Sequence, residues 1–254
     1  MAGALDPVTT RPWEPVHTVP SLGPGEVHVW RDNLSAPALD GWASSESLSP
    51  DERDQADRMS AVARRAAFVR GRGALRFLAG QYLNIPAGDV PVRILESGKP
   101  IIYGQDPKGG LSVSVSHSGP VLALAFTRAG DIGVDVEVEA ASVDRAAVSR
   151  RFFSHLEATG LAYLPPAAQV SAFFALWVRK EALLKASGDG LATPISEVEF
   201  TVSSTTEPTL LQVPSAYGDI SEWTVRAVVP APDTAGAVAV RGAVTTVRCL
   251  QWVR

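Results

Sequence analysis

Asp135 and Glu137 stand two residues apart in Gly-Val-Asp-Val-Glu (133–137). The strict alternation around them predicts a β-strand with Val134, Val136 and Val138 on one face and Asp135, Glu137 and Glu139 on the other. Carboxylates at that spacing leave the same face with Cα atoms about 6.6 Å apart. Two acids so placed repel unless a cation sits between them. Hard oxygen donors in that pose suit Mg2+, which takes one or two carboxylates, several waters and phosphate oxygens. The same pattern also describes the exposed face of a half-solvated strand. Further along, Trp177, Glu181 and Lys185 are spaced i, i+4, i+8, on one slowly drifting helical stripe beside Lys180. That stripe reads either as a catalytic edge or as a core tryptophan next to a helix salt bridge worth about 0.3–0.5 kcal/mol. His117 occupies Ser-His-Ser-Gly-Pro, where an imidazole and turn N–H groups can hold a phosphate, and Lys99 sits in a Gly-Lys-Pro turn. Ser116, His117 and Asp135 are also the residue types of a serine hydrolase. There is no Gly-x-Ser-x-Gly elbow, however, and a Ser and His adjacent in a strand do not give triad geometry.

The elements that must position these groups are legible in outline. Residues 1–25 are rich in Pro and Gly, without helical or strand period, and read as an extended arm. Glu26–Arg31 alternates as a first strand. Leu-Ser-Pro at 48–50, followed by Asp51 and Glu52, marks a helix start with a Ser cap and Pro in the first turn. From Arg58 to Gly80 run six arginines (Arg58, Arg64, Arg65, Arg70, Arg72, Arg76) and no acid, interleaved with Phe68, Leu75 and Leu78. Such a run is either a solvated helix face or a grip on an anion. LSVSVS (111–116) and VLALAFT (121–127) predict a hairpin around His-Ser-Gly-Pro. VSAFFALWVRKEALLKASG (170–188) predicts a helix closed by Gly188. The alternating segments after it predict an antiparallel sheet completing a second α+β unit.

Composition narrows the class. Hydrophobic residues make up 46% of the 254 and charged residues 20%, which excludes a disordered chain, a coiled coil and a collagen-like fibre. Twenty-seven acids against twenty-three bases give a net charge of −4, so no global positive field exists for nucleic acid. The single cysteine, Cys249, excludes an internal disulfide framework and a Cys-rich zinc site, and is expected to be a small buried hydrophobe. No apolar run approaches the roughly 20 residues of a membrane span, and the first thirty residues lack the core of a signal peptide. The expectation is a soluble cytoplasmic protein with no nucleic-acid or membrane partner.

Taken in order, FVRGRGALR (68–76), GKP (98–100), SVSHSG (114–119), GVDVE (133–137), RRFFS (150–154) and WVRKEALLKASGDGL (177–191) closely resemble the Sfp-type 4'-phosphopantetheinyl transferases. The resemblance covers about residues 48–200. It implies an α+β fold of two similar halves related by a pseudo-twofold axis, with a coenzyme A cleft between them. The N-terminal half would be residues 1–128 (with 1–25 as the arm). Residues 129–254 would form the C-terminal half, carrying the metal strand and catalytic helix. The implied reaction moves 4'-phosphopantetheine from coenzyme A to a serine hydroxyl of an apo acyl or peptidyl carrier protein. It requires Mg2+ and releases 3',5'-adenosine bisphosphate.

Carried over residue by residue, the resemblance implies that Asp135, Glu137 and Glu181 hold Mg2+. Glu181 accepts the serine proton, directly or through a water. Lys185 stabilises the α-phosphate and the leaving bisphosphate, and Lys180 faces phosphate or the surroundings of the metal. Ser116 and His117 match residues on the 3'-phosphate of coenzyme A, and Lys99 and Pro100 match contacts in the same region. Arg72 and Arg76 match the FVxxRxxLR helix, while one or more of Arg53, Arg58, Arg64 and Arg65 supply the basic grip. Ser97 stands where some relatives stack an aromatic on adenine, so either Phe68 or another side chain takes that role or adenine is held more loosely. Arg145, Arg150, Arg151, Phe152 and Phe153 are candidates for the carrier contact, and Trp177 for holding the catalytic helix against the sheet. The family also implies a monomer. Two rival readings use the same residues: a Mg2+-dependent coenzyme A pyrophosphate hydrolase, and a non-catalytic coenzyme A or carrier-binding protein.

Overall fold

A computed structural model describes residues 12–36, 44–104, 110–140, 143–188, 195–203 and 207–253. Local signals set the helix ends. Ser49 caps α1 (Pro50–Asp57) through a reciprocal pair of bonds with Glu52, and Pro50 occupies the first turn. The long α2 (Val62–Leu83) stops at Asn84, which takes the left-handed conformation at φ 56°. In the second part of the chain, α3 (Arg145–Phe152) is capped by Asp144, and α4 (His155–Tyr163) by a second reciprocal pair, Ser154 with Glu157. α5 (Pro166–Ser187) begins with Pro166 in its first turn and ends at Gly188, whose N–H reaches the Leu184 carbonyl at 3.3 Å.

The strands are β1 (Glu14–Val16), β2 (Glu26–Asn33), β3 (Val92–Ile94), β4 (Pro100–Ile102), β5 (Ser112–Ser118), β6 (Val121–Thr127) and β7 (Gly130–Val138), then β8 (Glu199–Phe200), β9 (Leu210–Gln212), β10 (Trp223–Ala227), β11 (Thr234–Gly242) and β12 (Thr246–Trp252). Among the described residues they form a sheet ordered β1–β12–β2–β6–β5 and a second ordered β10–β11–β7, with two-stranded pairs β3–β4 and β8–β9. The hairpin read at 111–127 is β5–β6, in register from Ser112 opposite Thr127 to Ser118 opposite Val121. The mixed α+β class is as expected. Each larger sheet carries one long helix. Ala74, Leu75, Leu78 and Ala79 of α2 bury against Trp30, Leu122, Leu124 and Phe126, and α5 covers Ala235, Ala237 and Ala239 of β11.

Between the sheets lies a third core that neither half owns. Val27 and Val29 of β2, Ala123 and Ala125 of β6, Ile132, Val134 and Val136 of β7, and Val238 and Val240 of β11 meet there. The valines that alternate with the acids of β7 thus face inward, as their period predicts. Cys249 is buried in this core, in no disulfide.

Two expectations of organisation are corrected. The segment 246–252 does not extend the second sheet. It inserts as β12 between β1 and β2 and runs parallel to both. A boundary at 128/129 therefore leaves out one strand of the first sheet. The extended arm, read as lacking any strand period, also contains a strand. Glu14–Val16 pair with Leu250–Trp252, Trp13 Nε1 donates to the Val229 carbonyl at 2.7 Å, and Glu14 binds Arg248 at 2.6 Å. Strand propensity states only that a segment fits a pleated surface. It names no partner, so neither pairing could be read from the residues.

β2 also carries a buried polar group with a measurable consequence. His28 is fully inaccessible, its Nδ1 2.7 Å from the Tyr82 hydroxyl, which accepts from Trp30 Nε1 at 2.9 Å. One hydrogen bond thus joins the ring to Tyr82, and the Glu26 carboxylate stands 3.6 Å from Nε2 on the other side. Burial pushes the His28 pKa down from 6.5 to about 4. Between those values the unfolded chain holds a proton that the folded one lacks, so stability falls as pH drops from 6.5 towards 4. The full loss is on the order of 3 kcal/mol. His28→Gln should flatten this dependence. The fall in Tm between pH 7 and pH 4.5 should shrink by roughly 6–10 °C relative to the parent. Parallel melting curves for the two proteins would refute the assignment.

Candidate active site

The site begins with an absent side chain. A Cβ at Gly133 of β7 would overlap the Ala182 carbonyl oxygen of α5 and lie 2.5 Å from the Ala186 nitrogen. Glycine there, and Ala182 and Ala186 opposite, let helix and strand approach at backbone distance. Glu181 and Lys185, beside those alanines, are thereby carried over the acidic face of β7.

Asp135 is buried, and its Oδ1 receives Lys185 Nζ at 2.7 Å and the Ser116 hydroxyl at 2.8 Å. Lys185 also reaches Ser116 Oγ at 2.9 Å, closing a triangle. The other carboxylate oxygen, Asp135 Oδ2, is buried without a hydrogen-bond partner. Glu137, one strand repeat on, accepts from Ser118 Oγ at 2.7 Å. Glu181 has its pKa pushed up to about 6, chiefly by burial and then by the negative charge of Asp135, with Lys185 opposing. Burial likewise raises the pKa of Glu137. The electrostatics describe three acids converging on one region and one ammonium that offsets only part of their charge. Among the described residues, no three His, Cys, Asp or Glu side chains close into a ready-made metal cage.

Beside this corner opens a cavity of about 160 Å3 lined by Ser97, Lys99, Pro100, Ser114, Leu184 and Lys185, with residues from both parts of the chain. Lys99 spans them, donating to the Ala186 carbonyl at 2.9 Å, and burial lowers its pKa. Two ammonium groups in one cavity suit an anion. A larger open cleft of about 720 Å3 lies at the first residues of β5 and β7, lined by Ser112, Arg128, Asp131, Glu222 and Arg241. It contains none of the residues singled out from the sequence, and Arg241 there pairs with Glu222 at 2.8 Å. His117 is exposed on β5, and its charge bears on Glu137.

Several sequence-based assignments lie elsewhere. Lys180 does not face the site. It is wholly buried, 2.7 Å from Glu157, which is equally buried, and it donates to the carbonyls of Ile195 and Val198. Consecutive helical residues point about 100° apart, so Lys180 and Glu181 cannot share a direction. Ser116, expected on a phosphate, is buried with its hydroxyl fully engaged by Asp135, Lys185 and the Val136 N–H. Arg76 is buried, paired with Glu52 and bonded to the carbonyls of Ala87, Gly88 and Val90. Arg72 meets the same Glu52 at 3.2 Å, Arg70 binds Asp32 at 2.7 Å, and Arg65 pairs with Asp57 on the surface. The acids missing from the arginine run are supplied by α1 and β2. Trp177 packs on Phe152, Phe153 and Phe173, against the core that α5 shares with the second sheet. The sequence reading overlooked Ser114, Ser118 and Glu157. The period-two serines and the Ser-x-x-Glu box at 154–157 were the available signals.

Against known proteins, a sequence model of the 4'-phosphopantetheinyl transferase superfamily matches residues 131–238. The chain is 34% identical over 230 residues to the 4'-phosphopantetheinyl transferase HetI of Nostoc sp., covering 91% of this chain and 94% of that protein. It is 31% identical over 141 residues to the 4'-phosphopantetheinyl transferase AcpT of Salmonella typhi, 56% of this chain and 68% of the relative. A third relative is the L-aminoadipate-semialdehyde dehydrogenase-phosphopantetheinyl transferase of Rattus norvegicus, 25% identical over 62% of this chain and 53% of its own length.

Two substitutions probe the frame of this corner. Gly133→Ala must push α5 off β7, at a cost of roughly 3 kcal/mol, and separate Lys185 from Asp135. A variant with unchanged Tm and the 2.7 Å contact intact in a crystal structure would show that the close approach is dispensable. Lys180→Met strands the Glu157 charge in the core and should cost about 3–5 kcal/mol in urea unfolding. Adding Glu157→Gln should recover part of that loss. A single variant within 1 kcal/mol of the parent would contradict the buried pair's role.

Proposed function

The chain belongs to the 4'-phosphopantetheinyl transferase superfamily, and we infer from this that the Asp135–Lys185–Glu181 corner is where phosphopantetheine passes from coenzyme A to a carrier protein. The protein is a 4'-phosphopantetheinyl transferase whose acceptor is a serine hydroxyl on an apo carrier. The observation that carries the site assignment is the state of Asp135: one oxygen fixed by Lys185 and Ser116, the other buried and unpartnered beside two further acids.

That unpartnered oxygen and the mutually repelling acids fit a divalent cation. Asp135, Glu137 and Glu181 are the donors that would hold Mg2+. An open, incomplete set agrees with an ion that keeps waters and takes substrate phosphate oxygens. Bound there, Mg2+ would supply Lewis-acid stabilisation of the charge on the pyrophosphate. The chain's own residues do the rest. Lys99 and Lys185, on opposite walls of the cavity, hold the anionic end of coenzyme A, which is larger than the cavity and extends out of it. His117, exposed at the end of β5, would donate to the 3'-phosphate. Glu181 takes the proton of the carrier serine on a carboxylate oxygen. The serine oxygen bonds to the β-phosphorus as the bond to adenosine 3',5'-bisphosphate breaks, and Lys185 balances the charge left on that group. Positioning and charge neutralisation provide most of the acceleration in such transfers.

No described helix is long and apolar enough to cross a membrane. The proposed setting is a cytoplasmic monomer working on a diffusing carrier, with Arg150, Arg151 and Phe152, next to Trp177 on α5, at the carrier contact.

Intact-protein mass spectrometry of an apo carrier incubated with coenzyme A, Mg2+ and this protein tests the proposal, with EDTA as control. The carrier should gain one phosphopantetheine, the gain should vanish with EDTA, and Glu181→Gln should slow it at least about 100-fold. Coenzyme A consumed with every carrier type unmodified would mean a pyrophosphate hydrolase. Coenzyme A left intact, again with no modified carrier, would mean a binding protein.

A further inference from the structure

β5 and β7 run side by side in the same direction, yet their neighbouring edges are joined through side chains. Ser114, Ser116 and Ser118 alternate along β5, and each hydroxyl accepts from a β7 backbone amide. Val134 donates to Ser114 at 3.0 Å, Val136 to Ser116 at 3.4 Å, and Val138 to Ser118 at 3.1 Å. A serine hydroxyl has one proton of its own to place. At 116 and 118 that proton goes to the acid one residue before the donating amide, Asp135 at 2.8 Å and Glu137 at 2.7 Å. At 114 the equivalent position is Gly133, so that hydroxyl joins the strands and meets no acid.

The two acids are not equally held. Asp135 is fixed by Lys185 as well as Ser116. Glu137 is only half-buried, and among the described residues Ser118 is its one hydrogen-bond partner. A glutamate has three rotatable bonds, and ordering such a side chain costs about 1.5–2 kcal/mol of conformational entropy. The Ser118 hydroxyl offsets that cost before any ligand arrives.

We propose that Ser118 is a positioning residue for Glu137, and that the row of hydroxyls joining the two sheets also sets the direction in which the acids of β7 present their oxygens to a divalent cation. This rests on the reading of Asp135, Glu137 and Glu181 as cation donors. Ser118 touches neither substrate nor cation and acts through the glutamate. Joining the strands and aiming the acid are separable, because Ser114 does the first without the second.

Mn2+ binding, followed by electron paramagnetic resonance of the free ion in the presence of saturating coenzyme A, tests the proposal without reference to turnover. Ser118→Ala should weaken Mn2+ binding about tenfold and Ser118→Thr should restore it to within about twofold, an order of effect set by one lost charge-assisted hydrogen bond. In a Glu137→Gln background Ser118→Ala should have no further effect. If the alanine chain does not fold, Ser118→Cys, close in size but a far weaker donor, takes its place with the same expectation. Mn2+ binding by the Ser118 variant within twofold of the parent, or a further loss when Ser118→Ala is added to Glu137→Gln, would overturn the positioning role. A parent protein that binds no Mn2+ would instead overturn the cation reading on which it rests.

Discussion

The distance between α5 and β7 governs this molecule. Helices usually rest on sheets through layers of side chains. Here one layer is removed on the strand at Gly133 and reduced to methyl groups on the helix at Ala182 and Ala186. At that separation a lysine from the helix and an aspartate from the strand meet at 2.7 Å, and the aspartate is buried. The same separation brings the Ala186 carbonyl within reach of Lys99, a residue of the first part of the chain. The gathering of acids in which Asp135 and Glu137 help raise the pKa of Glu181 is therefore a product of backbone packing, maintained by small residues that carry no chemistry themselves.

A second constraint comes from the two faces of β7. Its valines enter a core shared with β2, β6 and β12, and its acids face α5. The strand is held on one side by apolar burial and along its edge by serine hydroxyls. The acids cannot turn away without disturbing either the shared core or the seam. The buried Glu157–Lys180 pair plays the corresponding part behind α5. It ties the helix to the start of α4 and to the carbonyls at 195 and 198, so the face carrying Glu181 is held from the rear.

How much of this was legible follows from what each signal encodes. Alternation in GVDVE separates valines from acids because a strand has period two, and the structure keeps that separation. Capping at Ser49 and Gly188 is chemistry between near neighbours, so it could be read directly. The acidic residues and Lys185 were legible through their spacing together with the family resemblance. Lys180 was misdirected because adjacency in a motif was taken for adjacency in space, which helical rotation forbids. The arginines of α2 looked unpartnered because their acids, Glu52, Asp57 and Asp32, lie in other elements. Ser116 has the right type for a phosphate contact, but only the neighbouring strand could reveal that its hydrogen bonds were already taken. Strand partners were the least legible of all, and β12 was assigned to the wrong sheet for that reason.

The return of β12 bears on how the chain acquires its shape. Gln251 pairs with Arg31, 220 positions earlier, and Leu250 enters the core built on Trp30, α2 and β6. On a ribosome, where the amino-terminal residues emerge first, β1 and β2 must wait for almost the whole chain before the strand between them arrives. The first sheet is then an unfinished template with two open edges throughout synthesis. Contacts this distant in sequence close slowly. Exposed strand edges meanwhile invite pairing with other chains, so the amino-terminal portion is the part of this protein most in need of shelter while it is being made.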